Sequence, residues 1–411
     1  MTTKHEWDIS RRRLLQAAGA AALSAPFIGR PVWAQGKPVK IGVILPTSGV
    51  LAAPGQASLR GVELGAKLLS EKAGMPVEFV YADTESVPEN GRVAAERLIQ
   101  DGCTLLIGAW DTGATISAAQ AAEQAKVPIL VNIASAPQIT EQGFTQLFRN
   151  FPPATTLVYN AVARIKDLFA HTGVQPKTAV LLHVNDTFGK GVTGGINALW
   201  DKLDVPIEIV DQISYDLRAR DLSVEVAKAK ATGADLLMPV TRVNDAILIV
   251  REMVRQNYNP MGIIGPGSPG PYEKAFTDAT GKYGDQYMVS VPWYDPTRDL
   301  TKQTIASFNK EYPNERFELN VGFSYEAVEI AVDALSRAQS GEPAAIHDAL
   351  KTTDLKDHVM YGGPIVFNEK GQNPNIGGVM LQNQDSEPLV IGPQEIAVAE
   401  PIFPMTPFQD R

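Results

Sequence analysis

Residues 39–45 read VKIGVIL and run straight into Pro46-Thr47-Ser48-Gly49. Seven mostly apolar, β-branched residues closed by proline and glycine make a buried strand, because the run is too short for a helix. A helix is predicted over 56–73, where Leu59, Val62, Ala66 and Leu69 recur at 3-4-3 spacing and so share one face. The unit repeats as strand 77–81, helix 88–100, strand 104–107, helix 114–126 and strand 128–133. Strands joined through helices run parallel and carry helices on both faces, so this part is α/β with a doubly wound sheet.

Downstream, a strand-like segment at 146–151 meets Pro152-Pro153, and adjacent prolines end a strand and cannot sit inside a helix. A second series follows: helix 154–171, strand 178–184, helix 190–203, strand 206–213, helix 221–232, strand 235–240, helix 244–257 and strand 261–265. Two α/β lobes are expected, with the diproline as the first crossing between them. Past Gly270 the pattern gives strand 287–293, helices 301–311, 322–339 and 344–353, then short strands and turns over 361–392. Residues 394–411 hold Pro401, Pro404 and Pro407 and read as an extended tail on the surface. No internal sequence repeat is visible.

Upstream, Ser10-Arg11-Arg12-Arg13-Leu14-Leu15-Gln16 precedes a weakly apolar stretch and Val32-Trp33-Ala34. A basic start, a short apolar region and small residues before Gln35 describe an export signal cleaved after Ala34. The arginines resemble the twin-arginine pattern S-R-R-x-F-L-K, with Leu14 and Gln16 as departures; a Sec signal or an uncleaved helix are the alternatives. Both signal types lead to the periplasm. No cysteine stands at the cleavage point, so no lipid or other stable membrane anchor is expected.

The 411 residues carry a net charge of −9, which becomes −12 after Ala34, since the first 34 residues hold five Lys or Arg and two Asp or Glu. An acidic chain is a poor partner for nucleic acid, which is held by Lys and Arg. Cys103 alone excludes an internal disulfide and a multi-thiolate site, and the five histidines form no H-x-x-x-H pair, so no metal and no cofactor are expected. Gly265-Pro-Gly267-Ser-Pro-Gly270 matches G-x-G-x-x-G in form only. Pro266, Pro269 and Pro271 lack the N–H groups that hold pyrophosphate, so the segment reads as a rigid loop between lobes. No nucleophile motif or distinctive acid pair appears, so no catalytic residue is named and an enzyme is not expected.

What remains are polar and aromatic residues just past strand ends, where open parallel sheets bind ligands. They are Ser48 after the first strand, Trp110 and Thr112 after the third, Ala134 and Ser135 after the fourth, and Phe188 and Asp245 in the second lobe. The helix after the third strand turns free N–H groups toward the cleft and suits a carboxylate. Thr112 reads either as a donor to that carboxylate or as the cap of its own helix. Asp245 reads either as partner of a ligand ammonium or as a carboxylate stabilised by its helix dipole.

These stretches, in order, resemble the branched-chain amino-acid (Leu/Ile/Val-binding) type of periplasmic substrate-binding protein of ABC transporters. The carriers are KIGVILPTSG (40–49), RGVEL (60–64), LLIGAWDTGAT (105–115), VPILVNIASAP (127–137), NDTFGKG (185–191) and FSYEAVEIAVDAL (323–335). The resemblance implies two lobes of the type I periplasmic binding protein kind joined by a three-segment hinge: lobe 1 from 35–151 plus 270–376, lobe 2 from 152–269 plus 377–393, and the tail 394–411. It implies Thr112 and Ser135 as hydroxyls on the ligand carboxylate, the Ala134 carbonyl and Asp245 on its ammonium, Phe188 in place of the usual tyrosine, and Trp110, Trp293 and Tyr294 as apolar walls. The implied ligand is a small carboxylate-bearing solute, a branched-chain or other apolar amino acid, with an aromatic carboxylate, an amide or a urea-like solute as alternatives. The implied partner is a membrane permease, served by a monomer. The rival classes are an exported α/β hydrolase and a periplasmic ligand sensor for a separate membrane partner. Pro54, Phe188 and the single Cys103 depart from the family pattern.

Overall fold

Val39–Leu45 forms the first strand, β1, with Ile41 to Leu45 fully buried, as a continuous apolar run between two helix layers requires. The structure, a computed structural model, describes residues 37–411; the signal expected at 1–34 lies outside them. After β1 come α1 (Ala52–Leu69), β2 (Val77–Asp83), α2 (Asn90–Gln100), β3 (Cys103–Gly108), α3 (Thr112–Ala125), β4 (Ile129–Val131) and β5 (Leu147–Arg149). These strands pair in parallel in the order β2-β1-β3-β4-β5.

The second lobe begins with α4 (Ala154–Thr172) and continues through β6 (Thr178–Val184), α5 (Thr187–Leu199), β7 (Glu208–Tyr215), α6 (Ser223–Ala231), β8 (Leu236–Val240), α7 (Val243–Arg255), β9 (Gly262–Pro266), α8 (Lys274–Thr280) and β10 (Met288–Val291). Three helices then return to the first lobe: α9 (Asp299–Glu311), α10 (Leu319–Ala338) and α11 (Pro343–Lys351). Finally β11 (Val379–Gln384) and β12 (Glu387–Gly392) close the second sheet, whose order is β12-β11-β10-β9-β8-β6-β7. Its two last-formed pairings are antiparallel and the others parallel.

Three boundaries differ from the sequence reading. Residues 270–291, expected in lobe 1, stay with the second sheet because β10 hydrogen-bonds to β9 on one side and β11 on the other. The 265–270 loop therefore turns within the second lobe instead of joining the two. Helix α1 starts at Ala52, four residues before the expected Gln56, because Pro54 lies in the first turn, where no N–H is needed. The tail is held by the second lobe: Met405 N donates to the Met261 carbonyl at 2.8 Å, and Phe403, Met405 and Phe408 are buried.

Helix α10 buries fifteen of its 20 residues around its whole circumference, which places it between the first sheet and α1. Close approach of α1 is achieved at Gly61, where a Cβ would stand 2.3 Å from the Val321 carbonyl oxygen. The apolar core is continuous from β1 through the crossings to β8 and α7. Among the described residues no helix is long and apolar enough to cross a membrane.

Candidate functional site

Strand order reverses beside β1 in the first sheet and beside β6 in the second, so both lobes carry a switch point, where the loops past the carboxyl ends diverge and leave a crevice. The two crevices face one cavity. Its walls combine Trp110, Phe151, Leu157, Phe188, Tyr272 and Val291 with a few polar groups: Asp111, Thr112, Ser135, Arg242 and Asn320. Apolar walls with a small number of convergent polar groups are the usual make-up of a small-molecule site.

On the first-lobe side, α3 points its N-terminus at the cavity. Its cap is Asp111, whose Oδ1 accepts from Gly113 N at 3.0 Å and Ala114 N at 3.2 Å, and this leaves the Thr112 hydroxyl to the cavity it lines. Trp110 adopts φ 67°, in the left-handed region, and its indole Nε1 donates to Asn320 Oδ1 at 2.7 Å. Asn320 is itself fixed by Glu318, which accepts from its backbone and side-chain nitrogens at 2.9 and 3.0 Å.

The 134–136 loop is held from behind. Arg149 is completely buried and donates to the Ala134 carbonyl at 3.2 Å, the Ala136 carbonyl at 2.8 Å, Thr140 Oγ1 at 3.0 Å and Gln372 Oε1 at 2.6 Å. Burial pulls its guanidinium down to about 9. The Ala134 carbonyl is thus turned to a buried cation, with φ 143° at Ala134 as the backbone consequence.

The second-lobe wall is built around Arg242, at the end of β8. Its side chain is 6% exposed; Nη1 lies 2.6 Å from Asp186 Oδ2, Nη2 lies 4.0 Å from Asp111 Oδ2, and Cζ sits 5.0 Å over the Phe188 ring. Burial pulls its pKa down, but Asp186, Asp111 and Asp245 outweigh this and hold it above the ordinary value, so it is a permanent cation. The 265–270 loop fixes its backbone: Thr241 N donates to Ser268 Oγ at 2.7 Å, and Gly270, at φ 110°, leaves only 2.5 Å between a would-be Cβ and the Arg242 carbonyl carbon.

Of the expected residues, Trp110, Thr112, Ala134, Ser135 and Phe188 line this cavity. Four do not. Ser48 is exposed, with its carbonyl accepting from the Ser86 hydroxyl at 2.6 Å. Trp293 is fully buried one layer back, edge-on to Tyr272 at 5.1 Å, and Tyr294 packs against Phe317. Asp245 faces a separate groove beside Pro54 and Leu217. Its carboxylate accepts from Arg242 N at 2.9 Å and from the Tyr215 hydroxyl, so it fixes the start of α7; burial lifts its pKa to about 6 although both contacts pull it down. Of the residues missed, Arg242 had a signal, a cation at a strand's carboxyl end. Tyr272 and Asn320 had none, since only the returning chain brings them in.

Residues 38–385 match the family model described as periplasmic binding protein. The chain belongs to the periplasmic binding protein family. Membership implies an exported protein. Within the family, the chain is 26% identical over 379 residues to Leu/Ile/Val-binding protein homolog 8 of Brucella abortus, covering 89% of this chain and 93% of the relative. Among solved structures it is similar to the branched-chain amino acid transporter substrate-binding protein LivJ of Streptococcus pneumoniae in complex with isoleucine, with TM-score 0.74 and 19% identity over 86% of this chain and 100% of that one. It is equally similar to a solute-binding protein of an ABC transporter from R. palustris in complex with benzoate, with TM-score 0.76 and 20% identity over 89% and 98%. The fold is that of type I periplasmic binding proteins, with the cavity between the lobes.

Proposed function

We propose that this protein captures a small solute with a carboxylate and an apolar body in the periplasm and, as a monomer, delivers it to the membrane permease of an ABC transporter. The observation that carries the reading is the polarity of the cavity: apolar and aromatic walls, with the N-terminus of α3 and the hydroxyls of Thr112 and Ser135 gathered on one side. The Gly113 and Ala114 N–H groups are taken by Asp111, so the two hydroxyls and the helix dipole are what favour an anion there. Two of the neighbouring family structures hold isoleucine and benzoate, and both ligands fit that description.

An amino acid needs more than this. Its ammonium requires an acceptor, and the two groups expected for it are engaged elsewhere: Asp245 by Arg242 N and Tyr215, and the Ala134 carbonyl by Arg149. The acceptor left for an ammonium at the cavity wall is Asp111, whose Oδ2 lies 4.0 Å from Arg242 and takes no hydrogen bond among the described residues.

Calorimetric titration with leucine, phenylalanine, benzoate, 4-methylpentanoate and their neutral amides tests the reading. Carboxylates are expected to bind saturably without turnover and amides to fail, and Thr112→Val is expected to weaken the carboxylates about tenfold, as one hydrogen bond to a charged group does. Binding of amides alone, or turnover of any probe, would overturn it.

A further inference from the structure

Where the lobes meet beside α1, two carboxylates from opposite sides face one pocket, and among the described residues neither is paired with a cation. Glu318 caps α10 in the first lobe and is 3% exposed; Glu273 stands at the start of α8 in the second lobe and is 6% exposed. The pocket they share is walled by α1 on the first-lobe side and by Lys274 and Ala275 on the other. Glu318 Oε1 has no hydrogen-bond partner among the described residues, Oε2 being engaged with Asn320, and Glu273 does not cap its helix. The cations lining the pocket are bonded elsewhere: Arg60 to Glu315 at 3.0 Å, Lys274 to Asp278 at 2.7 Å, and Arg316 to Glu387 at 3.0 Å and to the Tyr272 carbonyl at 3.1 Å.

Two carboxylates buried in one place cannot both be charged at low cost, because each lacks water and repels the other. Burial leads in raising both carboxyls above the ordinary 4.5; the charges of Glu318 and Asp245 raise Glu273 further, while Asn320 and Arg60 pull Glu318 down without cancelling the rise. Asp245 keeps its own bonds, to Arg242 N and Tyr215, inside the second lobe, so parting the lobes does not free it. Burial also raises Tyr272 and Tyr294, which face the pair as neutral groups.

We propose that Glu273 and Glu318 form a proton-operated catch between the lobes, so that closure over the solute takes up a proton and the solute is held more firmly in a mildly acidic medium than in an alkaline one. The catch rests on the solute being held between the lobes, as proposed above, and not on the chemistry of that solute. When the lobes part, water reaches both carboxylates and they ionise near their ordinary value. As pH rises past that value the open form loses its protons first, and the closed form grows more costly until it ionises too. Each linked proton moves the balance by up to about tenfold per pH unit.

Two measurements on the full chain test this. Small-angle scattering at pH 6 and pH 8 needs no ligand: the radius of gyration, roughly 21 Å for a compact chain of this length, is expected to rise by about 1 Å at the higher pH as the lobes part. Calorimetry with leucine and with benzoate, both ionised at the carboxylate over this range, is expected to show binding at least about fivefold weaker at pH 8 than at pH 6. At pH 7 the heats should differ between phosphate and Tris, because the buffer supplies the proton. In the variant carrying both Glu273→Gln and Glu318→Gln the radius should no longer change with pH, and affinity should stay within about twofold. Equal radii and equal affinities at the two pH values in the natural protein overturn the proposal, as does an undiminished response in the double variant. A radius that responds while neither probe binds leaves the catch standing and counts against the solute reading alone; tight binding with no response to pH does the reverse. Should the double variant not fold, Glu273→Gln alone decides, since it removes one of the two charges and should roughly halve both responses.

Discussion

Glu329, on α10, has one carboxylate oxygen buried with no hydrogen-bond partner among the described residues. Burial, with the charges of Glu326 and Asp357 nearby, holds its carboxyl up at about 8, against the pull of His358 and Lys72. A carboxyl raised on folding costs nothing while it is protonated in both states. From the ordinary value of 4.5 upward the unfolded chain ionises first, so stability falls as pH rises toward about 8 and the full cost applies above that. At ~1.4 kcal/mol per unit the ceiling is roughly 5 kcal/mol, and solvent reaching the group reduces it, so about 2 kcal/mol is expected. Glu329→Gln should therefore raise the urea midpoint at pH 8.5 and leave it unchanged at pH 4.5; an equal shift at both values would mean that charge is not the cause. At this scale the sequence was legible where one residue's job depends on its neighbours in the chain. Thr112 follows Asp111, a better cap, and so is free for the cavity. Asp245 looked the same from sequence whether it met a ligand or its own helix, because Tyr215, its partner, is 30 residues away.

Among the elements, the C-terminal segment departs furthest from its sequence appearance. Three prolines suggest a strap on the surface, yet between them Phe403 is 8% exposed and stacks on Phe169 of α4 at 5.7 Å. Its ring also occupies the space above Gly262 at the start of β9, where a Cβ would approach Phe403 Cε2 to 2.7 Å. The side chain of Gln382 on β11 donates to the Ile402 carbonyl at 2.8 Å and accepts from Ile402 N at 2.8 Å, pinning the approach to that ring. The tail thus covers one face of the second sheet in the way a helix would. Phe403→Ala is expected to cost about 3 kcal/mol by leaving that pocket empty, read as a lower denaturation midpoint with the affinity of a bound carboxylate unchanged. A neutral result would return the segment to the role of a loose strap. Periodicity identified the helices and strands because each is local; it missed the tail because irregular chain shows its packing only through what it covers.

For the molecule as a whole, the two sheets repeat one plan that no sequence repeat announces. The order β2-β1-β3-β4-β5 recurs as β7-β6-β8-β9-β10, with β11 and β12 added at the far edge. Topology is preserved by burial and connection, which many sequences satisfy, so the likeness of the lobes survives in strand order alone. The chain passes between them three times: after β5, after β10 and before β11. The last two passages are tied by Tyr361, whose N donates to the Trp293 carbonyl at 2.7 Å and whose carbonyl accepts from Gly377 N at 3.0 Å. Beside the first, Asn150 donates to Glu326 of α10 at 2.8 Å and accepts from Asn373 at 2.8 Å. Neither lobe is a closed stretch of chain, and one apolar cluster runs through Phe151, Leu157, Tyr272, Val291 and Trp293 from one to the other. Separate melting would break that cluster and leave each lobe with loose ends, so calorimetry should show a single cooperative transition. A ligand that bridges the lobes stabilises only the state in which both are folded. At a free concentration one hundred times its dissociation constant it contributes about 2.7 kcal/mol, which for a chain of this length moves the whole transition up by about 3 °C. Two transitions, with only one of them shifted by ligand, would show that the lobes fold as separate units and that the solute is held by one of them alone.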